Sequence, residues 1–252
     1  MDLAHIALVA AAALVAGIVN AIAGGGSLIT FPVLVATGLP AVVASMTNTV
    51  ALCPGYLGAA LAQRRDLAGQ GPRAWRLLPL SIAGSLAGSY ILLHTTERSF
   101  VTIVPFLLVF AAVLLALQGR LRRALAGKTQ AKHSVAFAIL PVGLGAIYGA
   151  YFGAGLGVIL LAVLAVVVDD TLVRANALKQ TLSLTINVTA AIVFIFVGKI
   201  AWDVAAVVAV GSLVGGAIGG RLASRVPEAL LRWSAVSVAL VVAAIYFVRL
   251  YA

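Results

Sequence analysis

The stretch "NAIAGGGSLITFP", residues 20–32, places three consecutive glycines inside an otherwise apolar, helix-forming run. Each glycine costs a helix about 0.5–1 kcal/mol relative to alanine, so Gly24, Gly25 and Gly26 predict a break between two helices. What surrounds that break follows from composition. Hydrophobic residues make up 63% of the chain and charged residues 10%, against about 45–50% and about 25% in soluble domains. A soluble fold of 252 residues has too little interior for so much apolar surface. The chain reads as an integral membrane protein, broken where a bilayer would most want a helix whole.

The net charge of +10 does not point to nucleic acid. The basic residues gather in short turns between apolar runs, as the positive-inside rule expects, and form no basic stripe with interleaved aromatics. The single cysteine, Cys53, rules out an intrachain disulfide and a thiolate metal cluster. His5, His94 and His133 lie near segment ends without ligand spacing, so no metal or cofactor is expected. The first residues lack a basic stretch before the apolar run, so they read as a retained span rather than a cleaved signal.

A crossing needs about 20 apolar residues. Residues 42–62, 75–94, 100–118, 172–197, 202–222 and 229–250 meet that length. Residues 3–37 and 134–168 are too long for one crossing, and both are interrupted by glycine, at 24–26 and at Gly153, Gly155 and Gly157. Each is expected to be a helical hairpin, either re-entrant or built from a long and a short helix. Charge tests this. Arg64, Arg65, Arg73 and Arg76, the central "QGRLRRALAGKTQAKH", Arg174, Arg221 and Arg225 all fall on the cytoplasmic side if both long stretches return to their starting face. Both termini then lie on the non-cytoplasmic side.

The halves echo each other. "GIVNAIAGGGSLITFPVL" answers "GAIYGAYFGAGLGVILLAVL", "VVASMTNTVALCPGYLGAAL" answers "VRANALKQTLSLTINVTAAI", and "GSLAGSY" answers "GSLVGGA", at spacings of 127–131 residues. A hairpin plus three crossings is an odd number of passes, so the second half would sit upside down. The expected fold is all-α and polytopic: two inverted repeats, residues 1–118 and 134–252, joined by a basic cytoplasmic linker at 119–133, and not two independent domains. Inverted repeats with broken helices are a feature of secondary transporters, whose sites lie near the midplane between the repeats.

On "AIAGGGSLITFPVL", the Ala-x-x-Thr-Asn pattern of "AVVASMTNTVAL" and "RANALKQTLS", the chain resembles the TauE/SafE, or sulfite exporter, family over almost its whole length. That resemblance implies a bacterial inner-membrane anion transporter for sulfite or an organosulfonate such as sulfoacetate. Asn176-Ala177-Leu178-Lys179 stands where the family more commonly has Gly-Thr-Ser-Lys, so the resemblance does not specify the anion.

Lys179 is the sharpest candidate for binding it. The residue lies about 10 Å into an apolar helix, where a cation costs about 2.5–3.5 kcal/mol. Snorkelling, or pairing with Asp169 or Asp170, is the alternative reading. Its counterpart in the first half is Asn48, flanked by Thr47 and Thr49, and Gln180 and Thr181 add donors beside it. The glycine breaks supply helix starts within the membrane, whose unpaired N–H groups and dipoles favour anions. Ser27 would cap one such start, and Gly153, Gly155 and Gly157 would form the other. Close helix packing is the alternative for these glycines, and it is the preferred reading for "GSLAGS" and "GSLVGG". Asn20, Tyr148, Tyr151, Asn187 and Arg174 are candidates to line the path, with bonds across helices as the equal alternative. Trp75, Trp202 and Trp233 suit the interfaces.

An enzyme is disfavoured, since the spans hold no paired carboxylates, triad or metal cluster. A passive anion channel or a structural membrane subunit stays open beside the leading reading, a secondary transporter working by alternating access. The membrane potential, negative inside, favours export of an anion. The expected partners are a small anionic substrate and the lipid bilayer. A homodimer stays open.

Overall fold

The computed structural model describes residues 3–22, 24–126, 136–167, 171–222 and 228–251. Among them are ten helices and no strand: α1 (Leu3–Ile22), α2 (Ser27–Ala36), α3 (Ala41–Ala62), α4 (Gly71–His94), α5 (Glu97–Ala126), α6 (Ala136–Tyr151), α7 (Leu156–Val167), α8 (Leu172–Val197), α9 (Trp202–Leu222) and α10 (Glu228–Tyr251). Four are long and apolar enough to cross a membrane by themselves, within α4, α5, α8 and α9. The first long stretch divides into 20- and 10-residue helices and the second into 16 and 12. Both divisions fall at the glycines. Positive φ at Gly24 (84°), Gly153 (77°) and Gly155 (77°) turns the chain where other residues would be strained.

The bundle is apolar outside and partly polar inside. Ile82, Leu86, Phe106, Phe110 and Leu117 are exposed, whereas Ser81, Ser85, Ser89 and Ser212 are fully buried. That arrangement suits a solvent of lipid tails, in which apolar burial gives little drive and close packing with interhelical hydrogen bonds holds helices together.

Glycine makes the close packing. A Cβ at Gly88 would collide with the carbonyl of Ile147, and one at Gly84 would lie 2.5 Å from the carbonyl oxygen of Gly143, so α4 lies directly on the backbone of α6. On the other side of the bundle, Gly211 and Gly215 of α9 meet the carbonyls of Ala10 and Leu14 in α1 in the same way. "GSLAGS" and "GSLVGG" are therefore packing surfaces. Their serines add bonds: Ser85 Oγ donates to Ile186 O (2.6 Å) and Ser212 Oγ to Ala51 O (3.3 Å).

Two buried apolar clusters result. The smaller joins α4 with α6, α7 and α8 through Leu77, Val142, Leu160 and Leu182. The larger joins α1, α2, α3, α5, α9 and α10 through Val19, Leu34, Leu52, Leu108, Val208 and Ala239, and reaches α6, α7 and α8 through Ala150, Val158 and Phe194. Helix α4 thus packs with helices from the far end of the sequence, and α9 with helices from the near end. Glu97, in the first turn of α5, accepts the backbone N–H groups of Ala41 and, at 3.1 Å, Val42, capping the start of α3.

Replacing Gly88 or Gly215 with leucine should separate these backbones and cost on the order of 1–3 kcal/mol or more. A large fall in thermal midpoint in detergent is expected for both. Gly71→Ala should leave the midpoint unchanged, because nothing approaches that position and its φ is ordinary.

Candidate functional site

The two breaks meet. A Cβ on Gly24 would lie 3.6 Å from Gly157 Cα, and one on Gly157 would lie 3.4 Å from the carbonyl oxygen of Gly24. The third member of the junction is Lys179. Its ammonium nitrogen would lie 3.8 Å from a Cβ on Gly24 and 3.6 Å from a Cβ on Gly157, and the residue is 5% exposed. Helix α5 crosses behind both breaks, with Leu115 against Gly25 and Ala111 against Gly155. The absent side chains at 24 and 157 thus leave the Lys179 ammonium beside bare backbone.

Each break is tied to its surroundings. Around the first, Thr30 donates to Gly26 O (3.4 Å) and to Asn48 Oδ1 (2.5 Å), which links α2 to α3. The buried Tyr56 hydroxyl meets the side chains of Asn20 and Ser27. Around the second, Tyr148 OH donates to Ala154 O (2.6 Å) and Ser45 Oγ to Tyr151 O (3.3 Å). Phe31, Phe100 and Phe152 pack edge to face between α2, α5 and this break, with centroids 5.2 Å apart for Phe31 and Phe152. Rings held in this way fix the angle between elements as well as filling space.

Of the residues singled out in the sequence, Gly24, Gly157 and Lys179 come together, with Gly25, Gly26, Gly153 and Gly155 forming the breaks themselves. Asn48 reaches the first break through Thr30. The other polar groups bond elsewhere. Thr47 Oγ1 accepts the backbone N–H of Ala201 (3.1 Å), whereas Thr49 and Thr181 donate to the carbonyls of Ser45 and Ala177 one turn back in their own helices. Asn187 donates to Ser183 O. Gln180 is buried beside Lys179, and among the described residues its amide nitrogen has no hydrogen-bond partner. Asp169 and Asp170, the expected partners of Lys179, lie outside the described residues.

Arg174 sits at the start of α8 in a network with the α3–α4 turn. Its guanidinium donates to Ala68 O (2.8 Å), its carbonyl accepts Gln70 Nε2 (2.9 Å), and Asn176 Nδ2 donates to Gln63 Oε1 (2.8 Å). The turn that carries Arg64 and Arg65 is thereby fastened to the start of α8. At the other end of α3, about 33 Å away, a cavity of about 530 Å³ lies between Pro32, Leu39, Glu97, Val101, Ile245 and Tyr246.

Three residues of this region escape the sequence reading: Thr30, Ser45 and Tyr56. Thr30 carried a usable signal, a polar residue one turn beyond the glycine break. Ser45 and Tyr56 carried none, since their partners are far away along the chain.

A family model described as sulfite exporter TauE/SafE matches residues 9–246. The chain belongs to the TauE/SafE family. Over 94 residues it is 36% identical to a probable membrane transporter protein of Haemophilus influenzae, a match that covers 37% of each chain. The aligned part is therefore little more than a third of that relative's length. No solved structure matches the chain. Membership makes the sulfite exporter family of membrane transporters the setting in which the junction of breaks is to be understood.

Gly24→Ala places a Cβ at a φ of 84°, which should cost about 1–2 kcal/mol. The cost is expected as an earlier midpoint in denaturant titration of the detergent-solubilised protein. An unchanged midpoint would mean that the break is not held in this conformation.

Proposed function

We propose that the chain is a secondary transporter that exports a small anion, sulfite or an organosulfonate such as sulfoacetate, across the bacterial inner membrane. The observation that carries this reading is the Lys179 ammonium at the junction of two glycine breaks. Helices α2 and α7 both begin there, and helix starts present partial positive charge. A buried ammonium is costly in a membrane, and an anion seated against it offsets that cost. Bare glycine backbone lets the anion approach the donors closely, and irregular backbone is tolerated at this depth because protein surrounds it.

Alternating access would need the site to lie between two bodies that move. Gly24 lies in the first half of the chain, whereas Gly157 and Lys179 belong to α7 and α8 of the second. The pairing of α1 with α9 and of α6 with α4 supports two inverted repeats, each a broken hairpin plus three crossings. The Gln63–Asn176 and Ala68–Arg174–Gln70 bonds join the two bodies at the basic end, while a cavity stands at the opposite end. We read that arrangement as a state closed toward the cytoplasm. Arg64 and Arg65, in the turn at that end, support placing it in the cytoplasm, with both termini outside.

In proteoliposomes, labelled sulfite or sulfoacetate should exchange against the same unlabelled anion. Lys179→Ala should lower that exchange about 10–100-fold, the loss of a charge-assisted contact. Full activity in the variant would remove Lys179 from the site, and wild-type vesicles that move neither anion would sink the reading. A second measurement addresses the gate. In a Cys53→Ser background, Gln63→Cys with Asn176→Cys should cross-link, arrest exchange and recover it on reduction. Undiminished exchange in the cross-linked protein would exclude this end as a gate.

A further inference from the structure

We infer that Tyr148 is the positioning residue of the anion site, holding the second break in shape without contacting the anion itself. The inference rests on the transport reading above and adds a residue that acts on the site from a distance.

Tyr148 closes the break at both of its ends. Its backbone carbonyl accepts the N–H groups of Phe152 (2.9 Å) and Gly153 (3.2 Å), terminating α6. Its side-chain hydroxyl then reaches over the turn and donates to Ala154 O at 2.6 Å. Ala154 is fully buried and flanked by Gly153 and Gly155, both at φ 77°. Left-handed residues on either side take that carbonyl out of any helical ladder, and the membrane interior has no water to replace the missing donor. The phenol supplies it.

The ring is held in place to do so. Phe110 of α5 packs edge to face on it at 5.7 Å between centroids, and Phe152 packs on it at 6.4 Å. Three residues beyond Ala154, a Cβ on Gly157 would meet Gly24 at 3.4 Å and the Lys179 ammonium at 3.6 Å. A change in the orientation of the 154–155 peptide therefore passes directly into the surface that faces Lys179. The first break is secured differently, by Tyr56 from another helix meeting two side chains, Asn20 and Ser27. At the second break, Ser45 bonds the Tyr151 carbonyl and the Tyr148 hydroxyl takes the carbonyl between the two left-handed glycines.

Tyr148→Phe keeps the ring contacts and deletes only the donor. Two measurements on the reconstituted protein test the inference. In hydrogen-exchange mass spectrometry, peptides covering 153–158 should exchange about tenfold faster or more in the variant, the expected effect of leaving a buried carbonyl unpaired. Peptides covering 24–30 and α9 should be unchanged. In proteoliposomes, KM for sulfite or sulfoacetate should rise about tenfold while the maximal rate stays within about twofold, the split expected when ground-state binding is lost. Unchanged exchange at 153–158 would overturn the inference, as would acceleration spread evenly over the protein. So would local acceleration with an unaltered KM, which would leave Tyr148 a purely structural residue. If wild-type vesicles move neither anion, the transport reading falls by itself, and the exchange measurement still decides whether Tyr148 holds the break.

Discussion

A peptide group inside a bilayer has no water to fall back on, and every feature of this fold answers to that constraint. Unbroken helices meet it internally. The two glycine breaks do not, and each must borrow partners from elsewhere. Thr30 turns back to Gly26 and across to Asn48 at the first break, and Tyr148 reaches Ala154 at the second. Helix α5 passes behind both with small or flexible residues, Ala111 and Leu115, where the backbone comes closest. Irregular structure survives at this depth because protein has taken the place of solvent on all sides.

The same economy explains the junction. Two segments can approach until a hypothetical Cβ on one lies 3.6 Å from the Cα of the other only if both lack side chains. With the side chains gone, the side-chain group that comes up to both positions is the Lys179 ammonium, brought in by α8. The ammonium sits there in a volume of low dielectric, where electrostatic interactions are much stronger than in water. Glycine here has two jobs, turning the chain and clearing space for charge.

Much of this was legible in the amino-acid sequence. Apolar length and glycine placement foretold α8 and α9 with the bounds observed, 172–197 and 202–222, and placed both helix breaks at their glycines. Helix α5 runs beyond its expected end at 118 to Ala126, because the apolar rule marks the part that lipid surrounds, and arginines continue a helix readily once outside it. Lys179 stood out because a buried cation is rare. What stayed hidden were the bonds that give the site its shape. Ser45 to Tyr151, Asn176 to Gln63 and Ser85 to Ile186 each span more than 100 residues, and no spacing rule announces such a pair. Tyr148 was visible as a polar residue near a break, but its hydroxyl had no foreseeable target until the turn at 153–155 was in view.

The exchange of α4 into the cluster formed by α6, α7 and α8 bears on how the chain is made. Synthesis proceeds from the N-terminus, so α4 enters the membrane long before its neighbours exist. Ser85 must wait for an acceptor 101 residues downstream, and the carbonyls that Gly84 and Gly88 press against, those of Gly143 and Ile147, also come from the second half of the chain. During that time α4 presents hydroxyls and bare backbone to lipid or to the insertion machinery. The smaller cluster is complete only with α8 and the larger only with α10, so assembly belongs to the last stage of translation, and a chain stopped at the central linker would leave α4 without its partners.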